Sequence, residues 1–163
     1  MLQQDEVYLR SIISRYEQKI FALALYLIGG DKDKAYNVAT SSFVEALRET
    51  PFLEKENISL SKIAGIAVEK CRDIKTILSP DENDSDFVDL PPVERQSLLI
   101  VKTALQKLPF DIRALVLLRD QLHLPYKSIS SIFKISQGDA KVQTTQARIK
   151  LRETIKELLD HGR

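Results

Sequence analysis

The sequence predicts an all-α protein made of two small helical domains that are joined by an acidic linker. Glycine and proline are scarce, five and six in 163 residues, so long stretches carry no helix breaker. In both halves, apolar residues recur at three- and four-residue steps, the period of an amphipathic helix. Only residues 79–94, "SPDENDSDFVDLPPVE", break this period, with proline, serine and acidic side chains.

The composition is that of a globular protein, with 44% apolar and 29% charged residues. A single cysteine, Cys71, excludes an intrachain disulfide and a cysteine zinc site, and it fits a reducing, cytoplasmic setting. The first residues lack the pattern of a signal peptide. The most apolar run, "IFALALYLIGG", is roughly half as long as a membrane span, so we expect a buried helix and no membrane insertion.

Residues 1–78 are predicted to form a three-helix domain. The first helix runs from Glu6 to Leu27 and is stopped by Gly29-Gly30, and the third runs from about Leu60 to Leu78. The candidate N-caps are Asp31 or Asp33 for the second helix and Ser59 or Ser61 for the third. The second helix should bury one face: Ala35, Val38, Ala39, Phe43, Ala46 and Leu47.

Residues 79–94 are interpreted as a linker, or alternatively as an acidic segment that competes with DNA for a basic surface. The second domain then covers residues 95–163 and contains four helices. Pro109 ends the first of them and Pro125 opens the short third one. The fourth follows a turn at residues 136–138, "SQG".

A short helix, a turn containing glycine and a second helix form the pattern of a helix-turn-helix. In that motif the second helix enters the major groove of DNA, and Ser136 or Asp139 can cap it. One face of the last helix should pack inward: Ala140, Thr144, Ala147, Leu151, Ile155 and Leu158. A second face is basic: Lys141, Thr145, Arg148, Arg152 and Lys156. Gln143 and Gln146 flank that face, and their amides can read base edges.

Charge is distributed unevenly along the chain, although the net charge is only +1. Residues 1–99 hold 12 Lys/Arg and 17 Asp/Glu, whereas residues 100–163 hold 12 Lys/Arg and 6 Asp/Glu. The second half is therefore basic and is suited to a polyanion such as DNA.

The second half resembles the C-terminal domain of an extracytoplasmic-function sigma factor, group IV of the sigma-70 family. Positions in register with that family are Leu105, Leu108-Pro109, Arg113, Leu118, Leu124, Tyr126, Ile129, Ile135-Ser136, Gly138, Lys141, Ala147-Arg148 and Leu151-Arg152. The first half is similar to the sigma-2 domain of the same family, through Tyr16, Gly30-Asp31, Ala35, Phe43 and Ala46. The resemblance identifies a divergent member of the family.

The resemblance implies a subunit that binds core RNA polymerase and promoter DNA, with no cofactor and no metal. The implied polymerase-binding residues are Asp31, Lys34, Tyr36, Asn37, Thr40, Ser41 and Val44. The residues expected at DNA are Tyr126, Lys127, Ser136, Gln137, Asp139, Lys141, Gln143, Thr145, Gln146, Arg148 and Arg152. An anti-sigma factor is a usual partner in the family, and the residues leave its presence open.

Three departures from the family pattern concern these surfaces. Tyr36, Asn37 and Thr40 stand where the family has an acidic pair and a glutamine. No aromatic residue follows Phe52 until Phe87, so no stacking platform for a flipped base is expected on the third helix. Gln143 and Gln146 stand where arginine is usual.

Two functions remain open on this basis. The first is a sigma factor that directs polymerase to promoters, and the second is a sigma-like DNA-binding regulator that has lost promoter melting. A helical adaptor for an acidic protein would not account for the in-register C-terminal half. An enzyme is not expected, because neither histidine, His123 nor His161, lies near a catalytic constellation in the sequence.

Overall fold

The computed structural model describes residues 2–74 and 92–162. Within these ranges the chain is helical and contains no strand, which confirms the predicted all-α class. The α-helices are α1 (Leu2–Ile28), α2 (Lys32–Glu49), α3 (Leu60–Arg72), α4 (Pro92–Lys107), α5 (Phe110–Val116), α6 (Tyr126–Phe133) and α7 (Gln137–His161). A 3₁₀ helix, Phe52–Asn57, joins α2 to α3, and a π-helical segment, Leu117–Gln121, extends α5. Neither of these two short segments was predicted.

The helix ends follow local chemistry. Asp31 caps α2 by accepting the Lys34 N–H at 3.1 Å, and Ser59 caps α3 by accepting the Lys62 N–H at 3.2 Å. After α1, Gly29 and Gly30 have φ of 85° and 99°, conformations that glycine adopts without steric cost. Of the candidate N-caps, Asp31 rather than Asp33 caps α2, and Ser59 rather than Ser61 caps α3.

The first three helices pack on one another, and α7 packs on α4, α5 and α6. The predicted inward face of α2 is buried throughout. The buried Cys71 thiol lies in the same core, where burial raises its pKa from 9.0 to about 12, so the reactive thiolate is scarce at neutral pH.

Three predicted boundaries differ from the structure. Helix α1 begins at Leu2, four residues before the predicted start at Glu6. Helix α3 ends at Arg72, so the predicted extension to Leu78 is wrong over residues 73–74, and residues 75–78 lie outside the described residues. The predicted linker also lies outside them as far as residue 91, and residues 92–94 already belong to α4.

The two halves share one buried apolar cluster, which the sequence did not predict. Helix α3 approaches α6 where a Cβ at Gly65 would lie only 3.3 Å from Ile132 Cγ1, so glycine permits this close packing. Next to this contact, the Ser61 hydroxyl donates to the Ser128 hydroxyl at 2.9 Å. Helices of the two predicted domains therefore pack directly against each other.

A second link between the halves is an ion pair at the end of α3. Arg72 Nη1 lies 2.7 Å from Asp111 Oδ1, and the Arg72 guanidinium lies 5.0 Å from the centroid of the Phe110 ring. The hydrogen bond that Arg72 donates to Asp111 raises the pKa of Arg72. The pair is partly exposed, so it fixes orientation more than it adds stability.

Candidate nucleic-acid interface

Helices α6 and α7 and the turn between them form the helix-turn-helix that the sequence predicted. Lys134 ends α6 in the left-handed conformation, with φ of 56° and ψ of 45°. Ser136 caps α7 by accepting the Asp139 N–H at 3.0 Å. Ile129 of α6 and Ala140 of α7 are fully buried between the helices. The turn and the angle of α7 are therefore fixed by a side-chain cap and by core packing.

Helix α7 buries one face and leaves the others open. Ala140, Thr144 and Ala147 are buried as predicted, whereas Leu151, Ile155 and Leu158 are only half-buried, because the helix runs on past the core. The predicted DNA-contacting residues that are exposed on α7 and its cap are Ser136, Gln137, Asp139, Lys141, Gln143, Thr145, Gln146 and Arg152. The structure thus brings these side chains to an accessible surface.

Arg148 has a partner that the sequence did not reveal. Its Nε donates to Asp120 Oδ2 at 2.9 Å and its Nη2 donates to Asp120 Oδ1 at 2.5 Å. The hydrogen bond that Arg148 donates to Asp120 raises the pKa of Arg148. The negative charge of Asp120 offsets the positive charge of Arg148. Arg148 should therefore attract a DNA phosphate less strongly than an unpaired arginine would.

The N-terminus of α6 carries the two remaining predicted contacts. Lys127 is exposed, but Tyr126 is half-buried, and the guanidinium of Arg119 lies 4.2 Å from the centroid of its ring. Arg119 also donates to the Leu124 carbonyl at 2.9 Å. This stack fixes the start of α6 and leaves Lys127 as the accessible charge there.

Two side chains of α7 that the sequence reasoning passed over are exposed and apolar. Val142 is 55% exposed and Ile149 is 46% exposed. They lie two turns apart, on the side of α7 opposite the buried Ala140, Thr144 and Ala147. The sequence does contain a sign of them, because Val142 and Ile149 are apolar residues that fall outside the predicted inward face of the last helix.

The residues predicted to bind polymerase lie on the outer surface of α2. Tyr36 is 60% exposed, and Asn37, Thr40, Ser41 and Val44 form one exposed strip with it. Asp31 and Lys34 lie at the start of the helix, with Lys34 Nζ 3.6 Å from Asp31 Oδ2.

Tyr36 separates two open clefts. One, of about 370 Å³, is lined by the rest of this strip together with Glu45, Arg48 and Lys70. The other, of about 430 Å³, lies between α1 and α2 and contacts Ile13, Phe21 and Phe43. The strip itself is therefore neutral, with an aromatic ring at its N-terminal end and charged side chains along one edge.

Helix α3 holds no Phe, Tyr or Trp. Exposed apolar side chains lie instead on the 3₁₀ helix before it, at Phe52 and Leu53. Phe52 packs edge-on against Tyr8, with ring centroids 6.3 Å apart.

A comparison with protein-family models supports the resemblance of the second half. Residues 98–151 match the model for region 4 of sigma-70, which spans α4 to the middle of α7. Residues 98–151 are similar to region 4 of the sigma-70 family. A search of the curated proteins found no match to the chain. Region 4 is therefore the part of the predicted sigma-factor resemblance that a family model confirms.

The match to region 4 of sigma-70 accounts for the helix-turn-helix and indicates a DNA-binding role for this part of the chain. The assigned range contains Arg148 and most of the predicted contacts, but their individual roles stay predictions. Among residues 2–74 and 92–162, no cluster of metal-ligating side chains occurs, and no helix is long and apolar enough to span a membrane.

One prediction concerns Lys141, which is exposed near the start of α7. Replacing Lys141 with alanine should weaken DNA binding and flatten the slope of log affinity against log salt by about one unit, because one phosphate contact is lost. Fluorescence anisotropy over a salt series measures the slope. Lys19→Ala, on exposed α1, is the matched control and should leave it unchanged. An unaltered slope in Lys141→Ala would contradict this placement.

Proposed function

We propose that the protein is a sigma factor of the extracytoplasmic-function group, which binds core RNA polymerase and directs it to promoters. The observation that carries the proposal is the region 4 match on an intact helix-turn-helix with an accessible α7. In this role, the helix-turn-helix domain binds the DNA of the upstream promoter element. The chain acts in this role as a binding subunit and not as an enzyme, in the cytoplasm where polymerase works.

The first three helices support the polymerase-binding part of the proposal. The strip on α2 lies on one exposed surface and carries a ring and hydrogen-bonding side chains, the composition of a binding interface more than of an ordinary solvated face. It lacks the carboxylates that the family offers there. Docking through this strip would then depend on apolar contact and neutral hydrogen bonds rather than on charge steering.

A second candidate function is a DNA-binding regulator that has kept region 4 but does not melt promoters. It is favoured by the neutral strip on α2 and by the absence of an aromatic side chain on α3. In both functions region 4 binds DNA, so DNA binding alone does not distinguish them.

In vitro transcription separates the two functions. Core polymerase would be mixed with the full chain and with a supercoiled library of promoters, and start sites would be mapped. A sigma factor yields specific transcripts that core polymerase alone does not make. A regulator binds DNA but yields none, and that result would contradict the first function.

A prediction for the strip concerns Tyr36. Tyr36→Ala should weaken binding to core polymerase about tenfold, because an exposed aromatic residue that becomes buried in an interface often carries much of its affinity. Tyr36→Phe keeps the ring and should retain most of the affinity. Binding by the original chain should change little between low and moderate salt. Surface plasmon resonance on immobilised core polymerase measures both effects, and a steep salt dependence would contradict a neutral interface.

A further inference from the structure

The outward side of α7 carries an apolar ridge, which we define as Val142 and Ile149. Both side chains are about half exposed, and they lie opposite the face that packs into the core. Between them, the Thr145 hydroxyl donates to the Lys141 carbonyl at 2.9 Å. The donor of the Thr145 hydroxyl is therefore already used within the helix.

An exposed apolar patch with a polar rim often marks an interaction site. The surrounding charge indicates which partner fits here. Residues 137–152 of α7 hold four cations and one anion, whereas residues 153–161 hold one cation and three anions. The ridge lies entirely in the cationic part of α7. A polyanion therefore fits this surface better than a neutral or positively charged partner does.

The helix-turn-helix frame adds the geometry. The second helix of this motif lies in the major groove with its outward side chains at the base edges. In that groove thymine presents a C5 methyl group, which valine and other apolar side chains contact. Val142 and Ile149 are separated by about 10 Å along the helix, which corresponds to roughly three base pairs.

We propose that Val142 and Ile149 read thymine methyl groups in the major groove and so determine the DNA specificity of this protein. The proposal rests on the proposed function, in which α7 binds the upstream element. Gln146 lies on the same side of α7 and would favour adenine, so the outward side as a whole is suited to A·T pairs.

The test removes thymine methyl groups from the DNA and, separately, replaces Val142 or Ile149 in the protein. The preferred site of the full chain is first obtained by selection from random duplex DNA at a fixed salt concentration. Each thymine in that site is then replaced in turn by deoxyuridine, which differs only by the methyl group. We expect a loss of affinity of about fourfold at one or two positions, the size expected for one buried methyl group.

Variants assign each position to a residue. Val142→Ala should abolish the difference between thymine and deoxyuridine at one position, and Ile149→Ala should abolish it at the other. Alanine favours helix more than valine or isoleucine, and both sites are exposed, so folding is retained. Leu159→Ala is the matched control, because Leu159 is 48% exposed on the acidic part of the same helix. It should leave every thymine preference unchanged.

Two outcomes overturn the proposal, and they are distinguishable. Sequence-specific binding that is insensitive to deoxyuridine at every position would contradict methyl readout and leave the proposed function standing. If, in that case, the Val142 and Ile149 variants changed sedimentation instead, the ridge would be a contact between two copies of the chain. Absence of specific DNA binding by the original chain would contradict the proposed function as well.

Discussion

Replacing Arg113 with alanine should lower the free energy of unfolding by about 3 kcal/mol, a large part of the stability of an ordinary domain. Arg113 is only 6% exposed. Its Nη1 donates to the Leu27 carbonyl at 2.5 Å and its Nη2 donates to the Leu108 carbonyl at 2.9 Å. Leu27 lies in the last turn of α1, where carbonyls lack helical donors, so this arginine joins the two halves of the chain.

The sign of this effect follows from two opposing contributions. Burial of the guanidinium is unfavourable, lowers the pKa of Arg113, and leaves Nε without a hydrogen-bond partner. Alanine relieves that cost, but it also leaves two carbonyls unpaired, at about 1–3 kcal/mol each, and opens a cavity between the halves. The losses exceed the relief because the bonds from a charged donor are strong and the carbonyls stay buried.

Urea unfolding followed by circular dichroism measures the change. Arg48→Ala, at an exposed position of α2, is the control and should cost less than about 0.5 kcal/mol. Arg113→Lys should recover only part of the lost free energy of unfolding. A lysine ammonium group cannot bind both carbonyls at once as the planar guanidinium group does. A cost for Arg113→Ala as small as that of the control would show that the link between the halves is weak.

Local features of the fold could be predicted from the sequence because they depend on neighbouring residues. A cap needs a side-chain oxygen just before a helix, and Asp31, Ser59 and Ser136 supply it at the predicted places. The buried face of α2 follows from three- and four-residue spacing alone. In each case the interacting atoms lie within one or two helical turns.

Contacts between distant residues could not be predicted in this way. Arg113 and Leu27 are 86 positions apart, and Arg148 and Asp120 are 28 apart. No spacing rule connects such pairs, since their meeting depends on how whole helices pack. For that reason the packing between the halves could not be predicted, and Arg148 was predicted only as a member of the basic face, without its partner Asp120.

The candidate site was predicted in part for the same reason. Periodicity predicts which side of α7 is buried, and the exposed Lys141, Gln143 and Gln146 follow from it. It does not say what an apolar residue outside that side is for, so Val142 and Ile149 were passed over. Their exposure became informative only once the structure had shown that no other described helix covers them.

The usual arginines of the family are absent at Gln143 and Gln146, and restoring them should have the largest effect on DNA affinity. Both side chains are exposed on α7. Each added cation near a phosphate contributes about 0.9 of a released counterion. At 0.1 M salt, two such contacts correspond to a gain of roughly 10–100-fold. The present glutamines therefore keep the interface weaker and less dependent on salt.

Affinity alone does not say whether these glutamines reach a base. Arginine pairs best with guanine through O6 and N7, whereas glutamine pairs best with adenine through N6 and N7. If Gln143 or Gln146 touches a base edge, the exchange changes the preferred base as well as the affinity. A wrong base at such a contact costs about 1–3 kcal/mol, which a selection from random DNA resolves.

We therefore expect the double variant Gln143→Arg, Gln146→Arg to bind more tightly and to prefer guanine where the original chain prefers adenine. Gln3→Arg, Gln4→Arg on exposed α1 is the matched control, since it adds the same two charges far from α7 along the chain. Paired selections, each at two salt concentrations, compare the three proteins. A gain that is equal for all sequences would mean that both positions lie only near the phosphate backbone, and base readout by these glutamines would be wrong. A gain of the same size in the control would assign the effect to net charge rather than to α7.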